Sequence, residues 1–101
     1  MSSPRYLCSH LVRLAIAARP EQWVTLEEIW EYGAMLECET GIELGAAAMI
    51  LAGEISFTGR ITAVKNHEFG TQAEMTFSPA TRWTIEKWRP KHALDPKALG
   101  L

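Results

Sequence analysis

What this sequence has little of sets the first limits. Cysteine occurs twice, at Cys8 and Cys38, too few for a disulfide framework. Both lie in apolar segments, as buried, reduced thiols of a cytosolic protein do. Cys8 and His10 have no second ligand pair at zinc-finger spacing, so no metal site is expected. Long apolar runs are also missing. The longest uncharged one, "LGAAAMILAG" from Leu44 to Gly53, has ten residues, where a membrane helix needs about 20. Near the N-terminus, His10 and Arg13 interrupt what would be the apolar stretch of a signal peptide, so that segment reads as part of the mature protein. A cytoplasmic protein without membrane contact is expected.

The third shortage is local. From Pro20 to Gly59 there is no Lys and no Arg, whereas the same span holds eight acids: Glu21, Glu27, Glu28, Glu31, Glu37, Glu39, Glu43 and Glu54. The net charge of −2 hides this division, because all ten Lys and Arg lie outside that span. Catalytic arrangements are scarce as well. No nucleophile stands beside a partner base, no Gly-rich loop could cradle a phosphate, and His10, His67 and His92 are scattered. No enzyme and no cofactor are expected.

What is there suits one compact domain of 101 residues, 48% of them hydrophobic. Ser3-Pro4 reads as a helix start, followed by Leu7, Leu11, Leu14, Ala15 and Ala18 at helical spacing and ended by Pro20. Trp23 and Val24 form a short extended piece. Thr25 and Glu28 make a capping box, and Val24 with Ile29 a hydrophobic staple, predicting a helix from Leu26 to about Leu36. Thr40 and Glu43 make a second box. A third helix is predicted from Gly41 or Ile42 to Gly53, a residue that adopts a left-handed stop at little cost. Its small residues, Gly45 to Ala48, pack closely against the other helices or form a homodimer seam.

Beyond Gly53 the period changes. "EISFTGRITAV" and "QAEMTFS" read as two strands joined by an exposed loop, with Ala73, Met75 and Phe77 on one side. Gly59 is a bulge or a tight turn. Residues 82–88 read equally as strand or helix. The expected division is a single domain over 1–89 and a polar tail over 90–101. Helix, short extended piece, two more helices and a hairpin is the order of a winged helix-turn-helix, an α+β fold.

Short motifs then resemble the CaiF/GrlA family of enterobacterial transcriptional regulators: Pro4, Tyr6 and Leu7 at the first helix, Trp23-Val24 and Glu28-Ile29 around the second, Gly41-Ile42 opening the third, and Ile55-Ser56-Phe57 starting the wing. The likeness covers roughly residues 4 to 78 and implies a small winged-helix regulator. In that family the third helix can carry basic residues, whereas this chain has Glu43, Leu44, Gly45 and Ala46 there. DNA binding normally releases counterions through Lys and Arg, and this helix offers no Arg, Asn or Gln to base edges. Any DNA contact is therefore expected through the wing alone, from Arg60, Lys65, His67 and Arg82. The acids Glu27, Glu31, Glu37, Glu39 and Glu43 are the expected contact to a protein partner with a basic surface. The leading expectation is a non-enzymatic regulator acting through protein contacts. The alternative is a stoichiometric inhibitor of the anti-CRISPR kind, whose acids block a basic nucleic-acid groove.

Overall fold

The computed structural model describes residues 4–95 and is all β apart from one short 3-10 turn. Six strands, β1 (Tyr6–Ile16), β2 (Gln22–Trp30), β3 (Gly33–Cys38), β4 (Ala47–Ala52), β5 (Ile55–His67) and β6 (Gly70–Phe77), close into a barrel in the order β1-β2-β3-β6-β5-β4. The expected winged helix-turn-helix is thus overturned: all three predicted helices are replaced by strands and their connections. Every neighbouring pair is antiparallel. The chain makes two three-stranded meanders joined by residues 39–46, and closure removes the free sheet edges that would otherwise seek partners.

The reason for the failed expectation is legible strand by strand. In β1, Tyr6, Cys8, His10, Val12 and Leu14 turn inward while Leu7, Ser9, Leu11 and Arg13 face out. That is strict alternation, which the coincidental helical spacing of Leu7, Leu11 and Leu14 concealed. In β2, Val24 and Leu26 are buried, and then the register shifts between Leu26 and Glu28 so that Ile29 and Trp30 are buried too. A β-bulge inserts one residue and resets the parity, so the apolar spacing of two, then three, imitates a helix. The capping residues have other work. Thr25 pairs across the sheet with Leu11 and Glu37, and the Thr40 hydroxyl donates to Gln22 Oε1 at 2.9 Å.

Gly53 does adopt positive φ, 63°. It sits at the first central position of the two-residue β4–β5 hairpin, whose flanking residues Ala52 and Ile55 pair, the place where a type II′ turn wants glycine. The expected two-stranded ribbon is present as β5 and β6, with Ala73, Met75 and Phe77 buried. Gly59 lies within β5 opposite Phe77, and a side chain there would strike the Thr76 carbonyl.

The barrel interior holds Val12, Leu14, Leu26, Ile29, Leu36, Ile50, Phe57, Ile61 and Met75, each at most 1% exposed. Each large one contributes about 1.5–3 kcal/mol by leaving water, and Ile42 from the 39–46 connection joins them. After the 3-10 turn Pro79–Thr81, residues 82–88 form neither strand nor helix. They bring Trp83 to a buried position, where its Nε1 donates to the Trp88 carbonyl at 2.8 Å and its backbone N–H to the Glu31 carbonyl at 3.0 Å. The chain then lies along the N-terminal half of β1. Leu94 and Leu7 exchange backbone hydrogen bonds, Ser9 N–H donates to the Lys91 carbonyl, and Lys91 N–H donates to His10 Nδ1. Of the expected polar tail, residues 90–95 therefore form this strap and residues 96–101 lie outside the described residues.

Candidate protein-binding site

The strand directions divide the barrel into two ends. One gathers the β2–β3 turn, the end of β6 and residues 79–88. The other gathers the β1–β2 turn, residues 39–46 and the β5–β6 turn; Glu37 and Glu39 lie there, with Glu27 further along β2. β2 and β3 carry Glu27 and Glu37, with Thr25 opposite Glu37 in register and Glu27 two residues further along β2. Three ionisable groups lie in the resulting field. The Glu27 carboxyl is pushed up by partial burial, then by Glu37 and by Glu28, with His67 opposing. Cys8 is pushed up to about 12 by burial and then by Glu28 and Glu27. Cys38 is pushed up to about 11 by burial and then by Glu37. Both thiols are unpaired and are held protonated at neutral pH.

His67, expected to serve DNA, is bound up with these acids. Phe69 N–H donates to its Nδ1, which leaves the proton on Nε2, facing Glu37 Oε1. Glu39 is exposed, two residues further on, and has no ion-pair partner among the described residues. Glu43 leaves the same end but is paired with Arg19 at 3.3 Å. Glu31 stands at the opposite end, paired with Arg82 at 3.5 Å. The structure thus sets Glu27 beside Glu37 and lines one cleft with Glu37 and Glu39, while Glu31 lies at the far end and Glu43 is taken up by Arg19.

The cationic residues expected to meet DNA do not converge. Arg60 faces out from β5 and donates to the Gly45 carbonyl at 3.1 Å. Lys65 is exposed further along β5, opposite Gln72. Arg82 lies beyond β6, 5.2 Å over the Tyr32 ring as well as beside Glu31. An open groove of about 510 Å³ runs beside Arg60 over Ala15, Ala17, Ala47 and Met49. Among the described residues no buried side-chain nitrogen or oxygen lacks a hydrogen bond, so no orphaned polar atom there waits for a ligand. No group of three His, Cys, Asp or Glu among the described residues could hold a metal, and no helix among them is long and apolar enough to cross a membrane.

The sequence reading passed over the apolar residues beside the acids. Leu11, Trp23 and Phe69 are 62%, 63% and 84% exposed and line one cleft of about 440 Å³ with Thr25, Glu37 and Glu39. Two signals pointed to them. Phe69 is a large aromatic at the tip of a polar turn, and Trp23 is out of phase with Val24 and Leu26. A scan against protein-family models and a search of curated proteins find no match to this chain.

Proposed function

We propose that this chain is a non-catalytic, cytoplasmic regulator that works by protein contact, using the acidic face that runs along β2 and β3 from Glu27 to Glu37 and Glu39 to dock on a basic partner. The observation that carries the reading is the crowding of Glu27, Glu28 and Glu37 on adjacent strands. Like charges at this range work against folding, and the arginines at the end where Glu37 lies, Arg13 and Arg19, are spent on Glu21 and Glu43. A surface of this kind speeds encounter and selects partners. The two unpaired, protonated thiols support the cytoplasmic placement. The short motifs that resemble CaiF/GrlA lie on strands here, so the proposal does not lean on them.

An inhibitor that fills a basic nucleic-acid groove would use the same acids. Leu11, Trp23 and Phe69 among them favour a protein segment over a mimic of phosphates, which would present charge alone. The test is a pull-down from lysate at low and high salt, with nuclease treatment in parallel. Expected is a nuclease-resistant protein partner, retained at low salt, released at high salt and lost with Glu37→Lys plus Glu39→Lys but not with Glu54→Lys in the β4–β5 turn. Recovery of DNA alone, insensitive to the reversal, contradicts the proposal.

A further inference from the structure

The acids say that a partner is basic; the cleft beside them says what else it must be. The chain has four Trp, two Tyr and three Phe. Seven of these nine are engaged within the fold. Tyr6 meets Trp83 edge-on at 5.2 Å, Phe57 stacks on Phe77 at 5.0 Å, and Trp88 contacts His10 and Phe57. Arg5 lies 3.8 Å over Trp30, and Arg82 covers Tyr32. The other two, Trp23 and Phe69, have no ring or cation–π contact among the described residues, and both line a cleft that also holds Glu37 and Glu39.

That coincidence is not expected of a surface built only for solubility. Single exposed apolar residues are ordinary, whereas large ones gathered at one place mark an interaction site. Aromatic residues carry binding energy out of proportion to their number. Their setting here is also held in place. The hydrogen bond from Phe69 N–H to His67 Nδ1, and the contact of His67 Nε2 with Glu37, tie the hairpin tip to the carboxylate beside it. Of the nearby cations among the described residues, Arg13 is paired with Glu21 at 3.2 Å and Arg19 with Glu43 at 3.3 Å, which leaves Lys65 to dilute the acids.

Resting on the acidic-face reading above, we propose that the cleft between Leu11, Trp23 and Phe69 takes a segment of a partner protein in which a large apolar side chain is flanked by Lys or Arg. The apolar side chain seats between Trp23 and Phe69, and the flanking cations meet Glu37 and Glu39. Charge complementarity makes the occupant cationic, and the two aromatic walls make its anchor apolar.

The experiment is calorimetric titration of the whole chain with three synthetic probes of equal length: a leucine–lysine amphipathic peptide, a lysine–serine peptide and a leucine–serine peptide. The leucine–lysine peptide is expected to bind at least about tenfold more tightly than either of the others. Phe69→Ser and Trp23→Ser should each weaken it by about tenfold. Leu44→Ser, which removes a residue 68% exposed but outside the cleft, should leave it unchanged. Glu37→Gln plus Glu39→Gln should weaken it and flatten its salt dependence. Melting curves of the serine variants matching the unmodified chain exclude misfolding as the cause.

Lysine–serine binding as tight as leucine–lysine, untouched by Phe69→Ser but lost with the glutamine pair, overturns the cleft and leaves the acidic face standing. Leucine–lysine binding indifferent to the glutamine pair and to salt overturns the acidic face. No binding of either cationic peptide overturns both. Concentration-dependent self-association, or binding to zwitterionic lipid vesicles, that is abolished by Phe69→Ser overturns the choice of occupant in favour of a second copy or a lipid surface.

Discussion

The two ends of this barrel are built from similar residues and put to different use. At the strap end, two arginines each cover both an aromatic ring and a carboxylate: Arg5 lies on Trp30 and pairs with Glu74, and Arg82 lies over Tyr32 and pairs with Glu31. Trp83 is buried there at 3% exposure. At the hairpin end the same ingredients, carboxylates and aromatics, stand side by side with little to cover them. An aromatic ring satisfied within the fold contributes to stability. One left in water contributes nothing until something covers it. The difference teaches where this molecule spends its side chains on itself and where it keeps them for another surface.

The sharpest way to break that comparison is to truncate one tryptophan at each end. Trp83→Ala removes a buried ring and two neighbours' partner, and should cost about 3–5 kcal/mol, enough in a chain of this size to lower the melting temperature by well over 10 °C. Trp23→Ala should stay within about 0.5 kcal/mol of the unmodified chain. Thermal melts followed by circular dichroism decide it, and equal losses at the two ends would erase the distinction.

The strap itself offers the next test. His10 Nδ1 accepts the Lys91 N–H at 3.0 Å, with Trp88 edge-on to the ring. Burial first, and then the Lys91 charge, hold the imidazole below its usual value of 6.5. Folding therefore favours the neutral ring. Its contribution is fully present above pH 6.5 and is lost as pH falls through the lower, folded value. His10→Asn keeps an acceptor without the titration, so the stability gap between parent and variant should shift by about 1 kcal/mol or less as pH drops from neutral to mildly acid, against the parent. A gap that does not move with pH removes His10 from the strap's energetics.

On the acidic face the sign is the opposite. The Glu27 carboxyl is raised by partial burial and by Glu37 and Glu28, so its ionised form works against the fold at neutral pH. Glu27→Gln should stabilise by roughly a few tenths of a kcal/mol at low salt, the scale of like-charge crowding between neighbouring side chains. The gain should vanish once acid protonates the parent. It should be accompanied by weaker binding of a basic partner, stability and function pulling apart at one residue. Destabilisation at neutral pH would mean that Glu27 serves the fold. The smallest effect is chemical: with Cys8 and Cys38 pushed up to about 12 and about 11, neither thiol should alkylate appreciably in the folded chain at neutral pH, whereas both should after denaturation.

How much of this was legible in the sequence depended on whether local pattern and tertiary pairing agreed. They agreed for the β5–β6 ribbon, where alternation runs unbroken from Thr71 to Phe77. They disagreed for β2, because the bulge after Leu26 broke the period of two just where Thr25 and Glu28 imitated a capping box. Propensity was already against a helix there, since Trp23, Val24, Thr25, Ile29 and Trp30 all favour strands. In β4, six residues of alanine, methionine, isoleucine and leucine carry no period at all, and only pairing with β1 and β5 makes them a strand. At the candidate site, the run of acids without Lys or Arg was visible from the start. Its sorting was not. Glu27 and Glu37 meet only through the β2–β3 register, Glu31 is carried to the far end by the same register, and Phe69 reaches the acids because His67 ties the β5–β6 turn to Glu37.

The comparison between the ends can be settled in one titration followed residue by residue. In amide-resolved NMR of the isotopically labelled chain with the leucine–lysine peptide, the shifts are predicted to cluster at residues 11, 22–25, 37–40 and 67–70, with residues 30–33 and 82–88 unmoved. Shifts centred on the strap end, or spread evenly around the barrel, would contradict the claim that the hairpin end is the binding surface.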